Sequence, residues 1–362
     1  MAFAQQSAAP TPPAIAAKAY VLTDFNSGQQ LVLHNANNRI EPASLTKLMT
    51  AYLTFSALRQ KTLKPDQIVP VSTRAWKSEG SRMFIEPNKP VAVEELIKGM
   101  IVQSGNDACV ALAEAIAGSE EVFAQMMNRE AQRLGMKNTN FMNSTGLPHA
   151  QHYTTAYDLS LLASALVRDY PEYYPYYSMK EYRYNNITQA NRNRLLWVDP
   201  TVDGMKTGFT DNAGYCLITS AKRGPRRLVS VVLGTTSESM RATESQKLLN
   251  YGFQFYDTAK LYDKNQAVST VKVWKGSSNT VKAGFPYDLF MSVPKGATEK
   301  LKASVETQQP LLAPIAAGQK IGVLRVQLDG KPYGEFPVVA LEEVPVAGIF
   351  GRGWDSLRLL FK

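Results

Sequence analysis

Three short polar strings most constrain what this chain can fold into. They are Ser44-Leu45-Thr46-Lys47, Ser104-Gly105-Asn106 and Lys206-Thr207-Gly208, and their first residues lie 60 and 102 positions apart. Together they supply a nucleophilic serine, a lysine base next to it, a second serine and a second lysine that could bind an anion. Because they come from three separate segments, they can act together only in a fold that gathers three elements at one site.

The first string is not specific on its own, since Ser-x-x-Lys recurs at 269–272 and 292–295, whereas Lys-Thr-Gly occurs once. The first repeat lies in a strand-like run, where residues three apart point to opposite faces, and the second flanks a proline that breaks a helix. Apolar residues after Ser44 instead repeat at helical spacing, so Lys47 should lie one turn from Ser44 on the same side. An N-cap serine followed by a solvated lysine is the alternative for this string alone.

Serine becomes a useful nucleophile only when a neighbouring base removes its proton. Lys47 can be that base if its pKa is lowered, and we expect the positive end of the helix dipole and the second cation, Lys206, to lower it. Ser104 could relay a proton between Lys47 and a leaving group. Asn106 could hold either a substrate amide or Lys47.

The third string has the composition of a carboxylate-binding edge strand. Lys206 and the hydroxyl of Thr207 suit an anionic group, and Gly208 allows the strand to approach a substrate backbone closely. The backbone N–H groups of Ser44 and Phe209 are expected to form an oxyanion hole.

Composition excludes several other classes of function. The 362 residues carry a net charge of +9, but the basic residues are scattered and no nucleic-acid motif is present, so an anionic membrane or cell-wall surface is an equally compatible partner. Cys109 and Cys216 lie in apolar runs and are predicted to be free buried thiols. The three histidines show no metal-ligand spacing, so we expect neither a metal nor a cofactor.

Periodicity divides the chain into three parts. Residues 14–256 mix helical patterns with short-looped strands, which predicts an α/β (α+β) catalytic domain with an antiparallel sheet flanked by helices. Within it, Asn26-Ser27-Gly28 predicts a hairpin turn, Ser104-Gly105-Asn106 predicts a break between two helical segments, and a helix from Thr243 to Phe255 is expected to close the domain. Residues 257–344 show only short alternating runs broken by Gly and Pro, so a small all-β domain is expected.

The two ends of the chain suggest export and membrane attachment. Residues 345–362 place Trp354 and other apolar residues at helical spacing opposite Arg352, Arg358 and Lys362, as in an amphipathic helix that lies in a membrane interface. A helix that docks on its own domain is the alternative. Ala2-Phe3-Ala4 resembles the end of a cleaved signal peptide, and an ordinary cytoplasmic start is the other interpretation.

Taken together, these motifs resemble those of the low-molecular-mass, type-5 penicillin-binding proteins, the serine D-alanyl-D-alanine carboxypeptidases of the bacterial cell envelope. The resemblance covers essentially the whole chain and includes Asn191-Arg192-Asn193 as well as the three strings. It implies a serine β-lactamase/transpeptidase-like fold. It also implies removal of the terminal D-alanine from peptidoglycan stem peptides through a Ser44 acyl-enzyme, acylation by β-lactams and a periplasmic location on the inner membrane.

The resemblance also assigns supporting residues. Arg241 would help to hold the terminal carboxylate, His152 would lie on a loop bordering the site, and Asp169 and Arg192 would support it. Phe209 is a departure, because members of the family often carry histidine after Lys-Thr-Gly. Its backbone N–H is retained, so altered specificity is expected rather than lost activity.

Three rival functions remain in view. A class A β-lactamase would need a deacylating glutamate, for which the segment 181–185 is a poor match. A Ser-His-Asp hydrolase could use His152 and Asp158, but no serine lies in a Gly-x-Ser-x-Gly string. A non-catalytic envelope-binding protein on the same fold would be expected to have lost part of the three strings.

Overall fold

The computed structural model describes residues 9–348, so the predicted signal peptide end at residues 2–4 and the segment 349–362 lie outside the described residues. The chain divides into two compact units. One unit spans Thr11–Gln254 and contains all three polar strings, and the other includes the described residues from Phe255 onward.

A five-stranded antiparallel sheet forms the centre of the first unit, with the strand order β2-β1-β9-β8-β7. Strand β7, which carries Lys206-Thr207-Gly208, is at the edge of the sheet, as predicted. Two small two-stranded sheets, β3-β4 and β5-β6, lie outside it. The strands of this unit are β1 (Ala19–Asp24), β2 (Gln30–His34), β3 (Ile68–Val69), β4 (Val91–Ala92), β5 (Glu181–Tyr184), β6 (Ile187–Ala190), β7 (Val202–Thr210), β8 (Gly214–Arg223) and β9 (Arg226–Thr235).

Helices pack on both faces of this sheet. Val21 of β1 faces the main core, in which helix α1 is buried along most of its length, whereas Leu22 faces helix α8. A Cβ at Gly252 of α8 would lie 2.7 Å from side-chain atoms of Leu22 and Leu228, so glycine permits this close approach. The helices are α1 (Lys47–Arg59), α2 (Thr73–Trp76), α3 (Val93–Lys98), α4 (Asn106–Ala117), α5 (Glu120–Arg133), α6 (Ala156–Asp169), α7 (Leu195–Val198) and α8 (Glu238–Phe255).

The local folding of the chain presents each string at an element boundary. Ser44 lies in the 3₁₀ turn Ala43–Thr46 that leads into α1. Helix α3 continues into a π-helical turn, Gly99–Gln103, which ends at Ser104 in the left-handed conformation with φ of 65°. This turn makes the predicted break before α4. Helix α8 begins at Glu238, five residues before the expected Thr243, so Arg241 belongs to its first turns.

The second unit is a β-rich domain, as predicted. Its largest sheet has the order β14-β16-β17-β12-β11-β15, and β10 pairs with β13. Its buried apolar residues form a hydrophobic cluster of their own. The strands are β10 (Tyr256–Tyr262), β11 (Ala267–Trp274), β12 (Thr280–Gly284), β13 (Leu289–Pro294), β14 (Leu301–Thr307), β15 (Leu311–Leu312), β16 (Lys320–Leu328) and β17 (Lys331–Ala340).

The predicted C-terminal helix of residues 345–362 lies mostly outside the described residues. The part that is described, 345–348, is not helical, and Val346 forms a bridge with Gly276. Among the described residues, no helix is both long and apolar enough to cross a bilayer.

Candidate active site

The turn before α1 brings Ser44 and Lys47 together. Lys47 Nζ lies 3.0 Å from Ser44 Oγ, and Ser44 remains partly exposed while Lys47 is buried. The turn contacts β7, because a Cβ at Gly208 would lie 3.3 Å from Ala43 Cβ and from Pro42 O. Gly208 therefore allows the edge strand to lie directly against the turn that carries Ser44.

Lys47 has two further hydrogen-bond partners besides Ser44. Its Nζ donates to Asn106 Oδ1 at 2.7 Å and to the backbone oxygen of Thr145 at 2.6 Å. The pKa of Lys47 is lowered to about 8, mainly by burial and to a smaller extent by the nearby Arg192 guanidinium. The predicted lowering is therefore present, but its main cause is burial rather than the helix dipole or Lys206. A neutral Lys47 can donate to two acceptors and accept the hydroxyl proton of Ser44 with its lone pair.

The second string supplies a support and an unpaired hydroxyl. Asn106 Nδ2 donates to the backbone oxygen of Glu79 at 2.6 Å, so the amide holds Lys47 from one side and a loop from the other. Ser104 Oγ is buried and has no hydrogen-bond partner among the described residues. A buried hydroxyl without a partner is costly, which fits a group that bonds to substrate or passes a proton.

The third string places a second buried lysine near Lys47. Lys206 Nζ donates to the backbone oxygen of Thr207 at 3.1 Å. Burial holds the pKa of Lys206 well below its ordinary value, and the positive charges of Lys47, Arg192 and Arg241 lower it further. Basic groups are therefore concentrated at the site, where the Glu238 carboxylate lines the cleft and pairs with Arg241 at 3.3 Å, and an anionic ligand would favour the charged forms of the lysines.

These elements border a cleft of about 300 Å³. Residues of all three strings and two arginines line the cleft. They include Ser44, Ser104, Asn106, Thr207, Arg192 and Arg241. Phe209, which is 47% exposed, also lines it, and its ring centre lies 4.4 Å from that of Tyr215. Lys47 and Lys206 do not line the cleft, because both are buried behind its surface.

His152 lies beneath the site rather than along the cleft. It is buried, and its Nε2 lies 3.0 Å from Thr46 Oγ1, in the turn between Ser44 and Lys47. Burial lowers the pKa of His152 to about 4, so the ring is neutral at pH 7. Its loop borders the cleft through Pro148, as expected, but the His152 side chain does not line the cleft, and its contact with Thr46 gives it an indirect, supporting position.

The structure argues against two of the rival functions. The Asp158 carboxylate accepts hydrogen bonds from Asn138 N and Thr139 Oγ1, and His152 Nδ1 has no partner among the described residues, so they form no catalytic pair. Glu181 begins the β5-β6 hairpin, is exposed and does not line the cleft, so it cannot act as a deacylating glutamate.

Asp169, expected as a supporting residue, does not line the cleft. Its carboxylate accepts hydrogen bonds from Tyr52 and Arg168.

Sequence reasoning missed two features that shape the site. Asp107 accepts hydrogen bonds from the backbone N–H groups of Met83, Phe84 and Ile85, so it fixes the loop above the cleft. Its position directly after Asn106 in the second string is the sequence feature that could have identified it as part of the site. The role of Thr145 could not be predicted, because every residue has a backbone oxygen and the residue type does not show which one accepts from Lys47.

The buried thiols and the acidic residues provide no metal site. Cys109 and Cys216 are free and buried, as predicted, and burial raises the pKa of Cys109 to about 12. Within residues 9–348, no group of three His, Cys, Asp or Glu side chains could hold a metal ion.

Comparison with known proteins identifies relatives of both units. Residues 5–237 match the family described as D-alanyl-D-alanine carboxypeptidase, and residues 256–346 match the penicillin-binding protein 5 C-terminal domain. The D-alanyl-D-alanine carboxypeptidase DacC of Escherichia coli (strain K12) is 42% identical over 96% of this chain and 89% of its own length.

Solved structures show the same relationship. Penicillin-binding protein 5 from Haemophilus influenzae matches 93% of this chain and 99% of its own, with a TM-score of 0.89 and 42% identity. The ampicillin-bound form of penicillin-binding protein D2 from Listeria monocytogenes matches 66% of this chain and 98% of its own, with a TM-score of 0.61 and 32% identity.

Proposed function

This chain belongs to the family of D-alanyl-D-alanine carboxypeptidases, with the penicillin-binding protein fold, and on that premise we propose that Ser44 is the nucleophile of its serine hydrolase reaction. The reaction removes the terminal D-alanine from peptidoglycan stem peptides. The observation that carries the assignment is the 3.0 Å approach of a buried lysine, Lys47, to Ser44 Oγ.

Acylation begins with proton transfer from Ser44 to Lys47. With a pKa of about 8, roughly a tenth of Lys47 is neutral at pH 7. Ser44 Oγ attacks the carbonyl carbon of the penultimate D-alanine, and the negative charge on the carbonyl oxygen is stabilised by the backbone N–H groups of Ser44 and Phe209.

Ser104 then passes the proton to the departing amine. The Lys47 ammonium donates towards Ser104, and the Ser104 hydroxyl protonates the nitrogen of the leaving D-alanine as its bond to carbon breaks. In the second half of the cycle a water molecule gives a proton to Lys47 and attacks the acyl carbon, and as the bond from that carbon to Ser44 Oγ breaks, Lys47 returns the proton to Ser44 Oγ. Asn106 keeps Lys47 in position throughout, since its amide oxygen is bonded to Nζ.

The cations at the site select a substrate with a free C-terminal carboxylate. Arg241 and Thr207 line the cleft, and Lys206 is buried next to Thr207 in β7. Arg192 lines the same cleft and is exposed. The same charges suit the carboxylate of a β-lactam, so we propose that β-lactams acylate Ser44 as substrate mimics.

The test measures release of D-alanine from a pentapeptide that ends in D-Ala-D-Ala. The wild-type protein should release it and Ser44→Ala should not, whereas Ser56→Ala, a partly exposed serine within α1, should behave as wild type. Turnover by Ser44→Ala would contradict the assignment of the nucleophile.

We also propose that the protein is exported to the periplasm and associates with the outer face of the cytoplasmic membrane through residues 345–362. The support is compositional: three basic residues, Arg352, Arg358 and Lys362, accompany an apolar stripe, and each would contribute about 1 kcal/mol near anionic headgroups. The domain limits 14–256 and 257–344 remain part of this proposal, in which the β-rich domain follows the catalytic domain and precedes the membrane-binding segment in the sequence.

Deleting residues 349–362 tests the attachment and keeps the bridge between Val346 and Gly276. The truncated protein should hydrolyse small peptides at the wild-type rate and lose its binding to vesicles that contain anionic lipid. Co-sedimentation of the truncated protein at the wild-type level would contradict the proposal.

A further inference from the structure

A second groove, of about 540 Å³, lies outside the catalytic cleft in the first unit. Its apolar surface comes from Trp76 of α2, Phe84 of the loop before α3 and Ile187 at the start of β6. These three side chains are 41%, 38% and 40% exposed, which is unusual for large apolar residues that lie together.

Polar side chains surround these apolar groups. Arg82 lines the groove with its guanidinium carbon 5.3 Å from the centre of the Phe84 ring. Glu86 and Lys89 form an ion pair of 2.6 Å along the same wall, and Asn186 lies at the hairpin tip opposite. The groove therefore combines aromatic surface with amide, carboxylate and cationic groups.

The walls of the groove are joined by hydrogen bonds between side chains and backbone. Asn185 Nδ2 donates to Phe84 O and to Glu86 Oε1, both at 2.9 Å, and Gln189 Nε2 donates to Arg82 O at 3.2 Å. These bonds join the β5-β6 hairpin to the loop. On its other side the loop is fixed by Asp107, which accepts from three of its N–H groups. A preformed groove binds with less loss of conformational entropy.

The chemistry of the groove fits a sugar. The C–H face of a pyranose ring packs on exposed aromatic rings, and its hydroxyl and acetamido groups bond to amide, carboxylate and guanidinium groups. We propose that the groove binds the glycan part of the peptidoglycan substrate, an N-acetylated amino sugar, while the stem peptide occupies the cleft. This inference rests on the proposed function.

The catalytic cleft and the groove are lined by neighbouring residues of one loop. Ser81 lines the catalytic cleft, and the next residue, Arg82, lines the groove. A stem peptide of five residues spans about 17 Å when extended. The sugar is joined to the N-terminal end of the peptide, so in the proposed complex the D-Ala-D-Ala end lies at Ser44 and the peptide extends towards the loop of Ser81 and Arg82, where the sugar enters the groove.

The test compares kcat/KM for two substrates, the N-acetylmuramyl pentapeptide and the same pentapeptide with an N-acetyl group in place of the sugar. The wild-type protein should prefer the sugar-bearing substrate by about tenfold, the size of one good aromatic contact. Trp76→Ala should reduce this preference to about one. Trp197→Ala, a tryptophan of α7 that is 47% exposed and lies outside both the groove and the cleft, should keep the wild-type preference.

Two results would overturn the inference. One is equal kcat/KM for the two substrates in the wild-type protein, and the other is an unchanged preference in Trp76→Ala. Both would leave carboxypeptidase turnover and the acylation of Ser44 intact. A failure of the proposed function would instead appear as absence of D-alanine release from either substrate by the wild-type protein.

Discussion

Replacing Lys47 by arginine keeps a long cationic side chain at the site and removes the ability to act as a base. Lys47 is 1% exposed, and its Nζ has partners at 3.0, 2.7 and 2.6 Å. An arginine side chain could occupy part of this space and still bond to Asn106 and Thr145. A loss of activity in this variant would therefore reflect the loss of proton transfer and not the loss of a positive charge.

The size of the effect follows from the neutral fractions. With a pKa of about 8, roughly 10% of Lys47 is neutral at pH 7. Arginine has a pKa above about 12, so its neutral fraction at pH 7 is below about 10⁻⁵. If proton transfer to this residue is required, the acylation rate should fall by at least about 10⁴.

Stopped-flow measurement of single-turnover acylation by a fluorescent penicillin gives the rate directly. Lys137→Arg, an exposed lysine in the same unit, should acylate at the wild-type rate. The wild-type rate should rise with pH and level off above about 8, because the neutral form of Lys47 predominates there. Acylation of Lys47→Arg within tenfold of wild type, or a flat pH profile between 6 and 9, would show that another base operates.

Three further predictions concern binding and stability. Amidating the C-terminus of a D-Ala-D-Ala peptide should lower kcat/KM by about 30-fold, because Arg241 and Lys206 lose an anionic partner; equal turnover of acid and amide would refute this. Asp107→Asn should lower the free energy of unfolding in urea by about 2 kcal/mol, because one carboxylate oxygen becomes an NH2 group that cannot accept from the backbone N–H groups bonded to it, whereas Asp66→Asn should have no effect. Below pH 6.5 the unfolded state takes up a proton that native His152, with its pKa of about 4, does not, so acid should destabilise the protein by up to about 3 kcal/mol. In His152→Gln that contribution should be absent from pH-dependent urea titrations, and the same pH dependence in both proteins would be inconsistent with it.

Much of the fold was predictable because local signals and tertiary structure agree. The Asn26-Ser27-Gly28 turn forms the first hairpin, and the helical patterns before and after Ser104 form α3 and α4. The β-rich second unit follows from its alternating apolar runs. Helix α8 starts earlier than expected because its first turn is mostly polar, so the apolar period begins only later.

The parts of the site that escaped prediction depend on contacts between distant backbone segments. The turn from Asn143 to Gly146 brings the backbone oxygen of Thr145 to Lys47, and a Cβ at Gly146 would lie 1.8 Å from Ala43 O. Such a close approach cannot be inferred from spacing along the chain. The contact between His152 and Thr46 could not be predicted either, because the burial of the His152 ring depends on distant segments that pack around its loop.

The most direct test of the central claim is to locate the covalent adduct. The protein is incubated with a penicillin and digested, and the modified peptide is identified by mass spectrometry in the wild type and in Ser44→Ala. We predict one adduct, on Ser44, and none in the variant. An adduct on Ser104 or any other residue in the wild type, or an adduct that persists in Ser44→Ala, would contradict the account.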